Sequence, residues 1–366
     1  MKADRIALTH VRIPLVEPFK ISNGVVSEKD GIMVSVFSDG LVGIGEASPM
    51  SGSFYSDDTP DSTWSYLTGT LIPRITGKNL DSIDDVNAIL DLAGGNSFAR
   101  AGIETAFWDL QSKRQGIPLF KALGGTRNSV ESGLAVGIYP GIQELIAAIG
   151  RYLAEGYVRV KIKIQPGWDI APLAGVRKSF GDVKLMVDAN GAYTRADIPH
   201  LRALDDFDLM MVEQPLAQDD LEGHAELQSV LRTPVCLDES AKDCATVKRA
   251  IALNSCRIVN IKIQRVGGLK HAVEMHDVCA GAGIPVWGGT MPELGIGGGQ
   301  TLHLSTLGNF TFPTDVESSL RWFVDDIVDP LIQVRDGKIG IPEGSGNCFT
   351  LNHDNMKKYT VREGIF

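Results

Sequence analysis

Residues Lys184–Glu213 read KLMVDANGAYTRADIPHLRALDDFDLMMVE: two short apolar runs, each closed by a carboxylate, with a helical stretch between them. Runs this short and this rich in Val, Leu and Met are buried strands rather than helices. The unit recurs on both sides. Gly133–Ile138 and Val158–Ile164 precede it, and Pro234–Leu237, Ile258–Ile263, Pro285–Trp287 and, more weakly, Thr311–Val316 follow. Eight strand candidates alternating with helical segments predict an α/β fold, a (β/α)7-8 TIM-like barrel over residues 126–330.

Five runs end in an ionisable residue: Lys163, Asp188, Glu213, Asp238 and Lys262. The gaps are 188−163=25, 213−188=25, 238−213=25 and 262−238=24. Each gap spans one strand–helix unit, so the five side chains return to one height at the barrel's catalytic mouth. A single such residue is more often a helix cap or an ion-pair partner; five at one repeat outweigh that explanation. Three carboxylates at one mouth repel each other unless a cation joins them. Oxygen-only ligands suit a hard divalent ion, Mg²⁺ first and Mn²⁺ second, so Asp188, Glu213 and Asp238 are the expected metal ligands.

The lysines flank that arc. Lys161-Ile162-Lys163 sits on a strand, so both lysines face the same side. A lysine with its ordinary pKa of about 10.4 is a poor base at neutral pH. A neighbouring ammonium and a bound metal disfavour its charged form. Lys163 and Lys262 are therefore the expected acid/base pair, with Lys161 assisting. A barrel that only binds a metal and a small acid would not need two lysines.

Residues 1–125 read as an α+β capping domain. Ile6–Ile13 alternates as a strand, Pro14–Gly24 reads as a loop, and Gly31–Ser38 and Leu41–Glu46 form strands about an Asp39-Gly40 turn. Ser48–Ser62 is a loop by composition. Ser97–Gly116 is helical, with Ala101, Ile103, Ala106, Phe107 and Leu110 as its apolar stripe. The segment 331–366 is expected to pack back on the capping domain, with Lys338–Ile341 as a strand.

Composition excludes several classes. The chain has 366 residues, 43% hydrophobic and 22% charged, with net charge −10, which argues against a nucleic-acid partner. No apolar run approaches the roughly 18 residues of a membrane span, and the first residues lack a signal-peptide core, so a cytoplasmic protein is expected. Five scattered cysteines without CxxC spacing read as buried free thiols. The glycine-rich stretch Gly288–Gly299 has neither the G-x-G-x-x-G spacing nor the lysine of a phosphate loop. It reads instead as a tight loop whose N–H groups bind a substrate carboxylate.

The series Lys161-x-Lys163, Asp188-Ala189-Asn190, Glu213-Gln214-Pro215, Asp238-Glu239-Ser240 and Ile261-Lys262 resembles the motifs of the enolase superfamily, muconate-lactonizing subgroup. The likeness extends to Ala99–Leu110 (ARAGIETAFWDL) and covers nearly the whole chain. In enolase-superfamily sites a Lys or His base works beside Mg²⁺ that stabilises an ene-diolate. Where the mandelate-racemase-like subgroup uses a histidine base, Val286-Trp287-Gly288-Gly289 has none, so the lysine/lysine subgroup is the better match. The resemblance implies removal of the proton α to a carboxylate, by a racemase or epimerase of an amino acid or N-acyl amino acid. The alternatives are a syn-dehydratase (o-succinylbenzoate synthase or a hydroxy-amino-acid dehydratase) and a muconate-type cycloisomerase. Asp315–Ile327 (DVESSLRWFVDDI) is similar to the eighth-strand region of the N-acylamino acid racemases and o-succinylbenzoate synthases, departing from it at Glu317 and Trp322. Expected substrate-binding residues are Tyr55, Asn190, Glu293, Trp322 and Lys20. Aromatic faces beside a carboxylate would favour a cationic nitrogen on the substrate, and Lys20 could meet a second carboxylate. The family's habit implies a homo-oligomer, dimer to octamer, acting on a small carboxylate away from membranes.

Overall fold

Strand β1, Arg5–Ile21, extends the alternation of the first residues, with Ile6, Leu8, Val11 and Ile13 buried. It pairs antiparallel with β2, Gly24–Ser38, from Arg5 opposite Phe37 to Ile21 opposite Gly24. The computed structural model describes residues 2–22, 24–52 and 56–366. Pro14–Gly24, expected to be a loop, is therefore mostly strand. Pro14, opposite Glu28, ends the first regular stretch, and Pro18 falls in the irregular stretch between Pro14 and Phe19, where its missing N–H breaks no ladder. Asp39 and Gly40 take φ of 50° and 78°, the left-handed pair of a tight hairpin turn, and lead into β3, Leu41–Ala47.

Helix α1, Ser97–Gln115, starts where the Asn96 side chain accepts from Ala99 N at 2.8 Å and stops at left-handed Gly116. Its predicted stripe is buried, Ile103, Ala106, Phe107 and Leu110 against the sheet and Ala101 against the barrel side. The approach is close: a Cβ on Gly43 would lie 2.1 Å from Ala106 O, and one on Gly45 2.2 Å from Gly102 O. Only glycine fits there.

Seven parallel strands follow: β4 Leu134–Val136, β5 Arg159–Lys163, β6 Lys184–Asp188, β7 Val212–Glu213, β8 Val235–Leu237, β9 Ile258–Ile261 and β10 Val286–Gly288. They neighbour one another in chain order. The eighth run, Thr311–Val316, forms no regular strand, because Pro313 lacks an N–H and interrupts the ladder. It still links β10 to the segment that leads into β4. Asp315 N donates to Gly288 O at 3.0 Å, and Thr314 N donates to Glu131 O at 2.9 Å. Inside the barrel Met186, Met211, Cys236, Ile258 and Trp287 form one apolar layer. Outward residues of the same strands, such as Val187, Val212, Val235 and Val259, pack on the surrounding helices. Two-residue alternation thus dictates that Asp188, Glu213 and Asp238, each two positions past a floor residue, also point inward.

Strand β11, Thr360–Ile365, lies antiparallel against β1, with Ala7 opposite Ile365. Lys338–Gly340 pairs instead with Ser129–Glu131. Among the described residues no helix is long and apolar enough to cross a membrane. All five cysteines are free thiols, three of them buried.

Candidate active site

Strand register sets the row. Lys163 pairs with Asp188, and Asp188 with Glu213. Glu213 pairs with Cys236 and Cys236 with Ile258, so Asp238 stands one inward position higher and Lys262 one higher again. The five residues climb round the mouth rather than sharing one height, as the stagger of a closed barrel requires. Lys161, Lys163 and Lys262 are only 4%, 7% and 5% exposed, and lysines so buried need partners.

The partners are the carboxylates. Lys163 Nζ donates to Asp188 Oδ2 at 2.5 Å and to Asn190 Oδ1 at 2.9 Å. Asn190 adopts φ 45°, which asparagine tolerates, and donates to Glu239 Oε1 at 2.9 Å. Lys161 Nζ donates to Glu213 Oε2 at 3.2 Å and to Asp315, and lies 3.6 Å from Asp188 Oδ2. Lys262 Nζ donates to Asp238 Oδ2 at 2.8 Å, and Arg265 pairs with the other oxygen of the same carboxylate.

Environment divides the acids. Burial pushes the Glu213 carboxyl up, neighbouring Asp188 adds to the push, and Lys161 opposes it, leaving the pKa at about 8. Burial and the charge of Asp238 likewise raise Glu239 to about 7. Asp238 goes the other way: burial opposes its charge, but Arg265 and Lys262 hold it far below the carboxylate range. Burial also disfavours the Lys161 charge, and Asp315, Glu213 and Asp188 outweigh it, keeping the ammonium above its ordinary value. Lys161 is thus a fixed positive charge.

Three members of this cluster were not singled out in the sequence: Asn260, Arg265 and Asp315. Asn260 Nδ2 donates to Glu213 Oε1 at 2.7 Å, while its Oδ1 accepts from Gly289 N at 2.8 Å. Its signal was present, since Asn260-x-Lys262 repeats the same-face spacing of Lys161-x-Lys163. Asp315 lies one residue before the end of the eighth run, and also pairs with buried Arg159 at 2.8 Å. Arg265 carried no signal, because a helical turn returns it to Asp238.

The expected substrate-binding residues fare differently. Tyr55 lies outside the described residues. Lys20 is exposed near the hairpin tip, which the barrel holds over the mouth: Ile138 N donates to Lys20 O at 2.8 Å, and Ser22 Oγ to Ala189 O at 3.2 Å. Glu293 and Trp322 line one small cavity with Thr290 and Glu317. Glu293 Oε1 and Trp322 Nε1 are buried there without a hydrogen-bond partner. The Trp322 ring is already engaged, with the Arg321 guanidinium 4.7 Å from its centre and Phe19 edge-on at 4.8 Å. The supposed glycine loop needs correction. Gly295–Leu304 is a buried helix, α2. Its first N–H groups serve the protein's own carboxylates: Leu294 N and Gly297 N donate to Glu46, and Gly295 N to Asp326. Helix starts need acceptors, and here the fold supplies them.

Among the described residues no three acidic, histidine or cysteine side chains converge at metal-ligand spacing; the ammonium groups lie against the carboxylates instead. The donor set still fits a hard divalent cation. It offers buried carboxylate oxygens on three adjacent strands, and the upward push on Glu213, from burial first and from neighbouring Asp188 and Asp238 after it, is one a dication would oppose.

Two family models match the chain: "Mandelate racemase / muconate lactonizing enzyme, N-terminal domain" over residues 4–124 and "Enolase C-terminal domain-like" over residues 144–355. The chain is 43% identical to an o-succinylbenzoate synthase of Geobacillus kaustophilus over 99% of its length and 96% of that protein's. It is 39% identical to an N-succinylamino acid racemase of Thermus thermophilus, over 94% of each. A solved enolase-superfamily member from Listeria innocua superposes with a TM-score of 0.95 at 34% identity, covering 100% of this chain and 99% of that one.

Proposed function

Because this chain belongs to the enolase superfamily, we propose that it removes the proton α to the carboxylate of a succinyl-bearing substrate and returns it, racemising an N-succinylamino acid. One observation carries the reading: two buried lysines, Lys163 and Lys262, stand at the two ends of an arc of three buried carboxylates. Proton delivery from either flank is what inversion at carbon requires.

In this reading Asp188, Glu213 and Asp238 hold Mg²⁺, with Mn²⁺ as a substitute. Bound there, the cation supplies positive charge where the substrate carboxylate gains electron density. Lys163, as the neutral amine, takes the α-proton on one face, with Asn190 orienting its Nζ, and Lys262 donates on the other. Lys161, pinned by Asp315, keeps its charge and adds to the field without exchanging a proton.

The 43% identity to an o-succinylbenzoate synthase supports a second reading, dehydration. The same lysine would remove the α-proton, and the β-hydroxyl would leave as water after taking a proton from the ammonium. Incubation with Mg²⁺ and N-succinylamino acids in D₂O, followed by NMR, separates the two. Racemisation gives α-deuterium in both enantiomers; dehydration alone leaves these compounds untouched and releases water from a β-hydroxy acid substrate. No α-exchange and no water loss with any succinylated carboxylate would sink the proposal.

A further inference from the structure

A second buried charge cluster lies where the N-terminal sheet meets the turn after β10. Lys29, on β2, is 1% exposed. Its three ammonium donors go to Ser48 O at 2.9 Å, Pro49 O at 3.3 Å and Met291 O at 3.1 Å. Two of these carbonyls follow β3 in the capping domain, and the third belongs to the barrel. Glu46 ties the same parts from the other side. It accepts from Ser48 Oγ at 2.8 Å, Leu294 N at 2.9 Å and Gly297 N at 2.8 Å. Gln264, two residues past Lys262, donates to Glu46 O at 2.8 Å and accepts from Ser48 N at 3.0 Å.

An apolar side chain would fill this space at lower desolvation cost than an ammonium. What an ammonium adds is direction: carbonyls from two distant segments must converge on one atom. Burial lowers the Lys29 pKa, and Glu293, Glu46 and Asp30 oppose the shift. The network reaches the strand end that bears Lys262 through Gln264. Among the described residues, Lys163 at the other end of the arc bonds to Asp188 and Asn190 and not to this network.

We propose that Lys29 is a positioning residue for one half of the reaction, fixing the Ser48–Pro49 segment and the Met291–Glu293 turn beside Gln264 and, through it, the strand end that bears Lys262. This rests on Lys262 handling protons, as argued above. An asymmetry follows. Loss of Lys29 disturbs the Lys262 face of the substrate and spares the Lys163 face.

The test uses the full chain with Mg²⁺, as wild type, Lys29→Met and Gln264→Leu. Amide hydrogen exchange is expected to quicken by about tenfold or more at Ser48, Met291, Leu294 and Gly297 together, with β5 and β6 unchanged. The α-deuteration of N-succinylamino acids should fall by up to about a hundredfold for the enantiomer that depends on Lys262, and far less for the other. Which enantiomer that is follows from Lys262→Met. Gln264→Leu, which leaves the ammonium in place, should show the same asymmetry in milder form and decides the matter if Lys29→Met does not fold. Equal loss for both enantiomers, or faster amide exchange in only one of the two segments, overturns the proposal. If the wild type exchanges neither enantiomer, the succinyl reading fails while the amide pattern still decides the role of Lys29.

Discussion

Lys262 Nζ lies 2.8 Å from Asp238 Oδ2, so a proposed proton carrier is ion-paired with a proposed metal ligand. The same holds for Lys163 and Asp188 at 2.5 Å. The acid/base groups and the metal-holding groups are therefore one electrostatic unit, and a change in either is felt by the other.

Lys163→Met and Lys262→Met should each abolish α-exchange for one enantiomer, lowering turnover by about 10²–10⁴-fold while the fold persists. Single-enantiomer NMR in D₂O measures this. Retained turnover in both variants would remove the lysines from the mechanism.

Asn260→Ala frees Glu213 Oε1 and Gly289 N at once. Mg²⁺ affinity, measured by titration calorimetry, should weaken by about 10–100-fold, the usual cost of losing an outer partner of a metal ligand. Unchanged affinity would place the metal elsewhere.

Asp315→Asn strips the buried charges of Lys161 and Arg159 of a shared partner. Urea unfolding should show a loss of about 1.5–3 kcal/mol, because each cation loses a charge-assisted hydrogen bond while Lys161 keeps Glu213 and Asp188.

Gly299→Ala sets helix propensity against packing. Alanine gains about 1 kcal/mol in a helix, but its Cβ would lie 2.5 Å from Phe349 Cδ2. Overpacking of this kind costs about 1–3 kcal/mol, so net destabilisation is expected. Gly308→Ala, with nothing within 4 Å of its Cβ, is the neutral control in the same thermal melts.

Glu46 gives a pH signature. Burial raises its pKa from 4.5 to about 8, against the donors around it. Between those values the folded state holds a proton that the unfolded chain has released, so its contribution to stability falls as pH rises from about 5 to 8. In Glu46→Gln the pH slope of the unfolding free energy should flatten across that window; an unaltered slope would mean that Glu46 is ionised throughout.

The barrel and the row at its mouth were legible in the chain because both follow from local rules. A strand shows its inward side every second residue, and one strand–helix unit takes about 25 residues, so Asp188 and Glu213 could be aligned without coordinates. The N-terminal hairpin was only partly legible. Two prolines made Pro14–Gly24 look like loop, and only the pairing with β2 showed that the irregular stretch begins after one and absorbs the other. Gly295–Gly299 misled for a related reason: glycines that suggest a flexible loop were there to admit Val328 and Phe349 against a helix.

By itself the sequence determined that Lys163, Asp188, Glu213, Asp238 and Lys262 follow one another round the mouth, since alternation and repeat length act along a continuous segment. Tertiary structure alone decided what each of them meets. Asp315 reaches Lys161 across 154 positions, Lys29 meets Met291 across 262, and Glu46 takes the N–H groups that seemed reserved for a substrate. Such contacts depend on which distant segments fold side by side, and no periodicity encodes that.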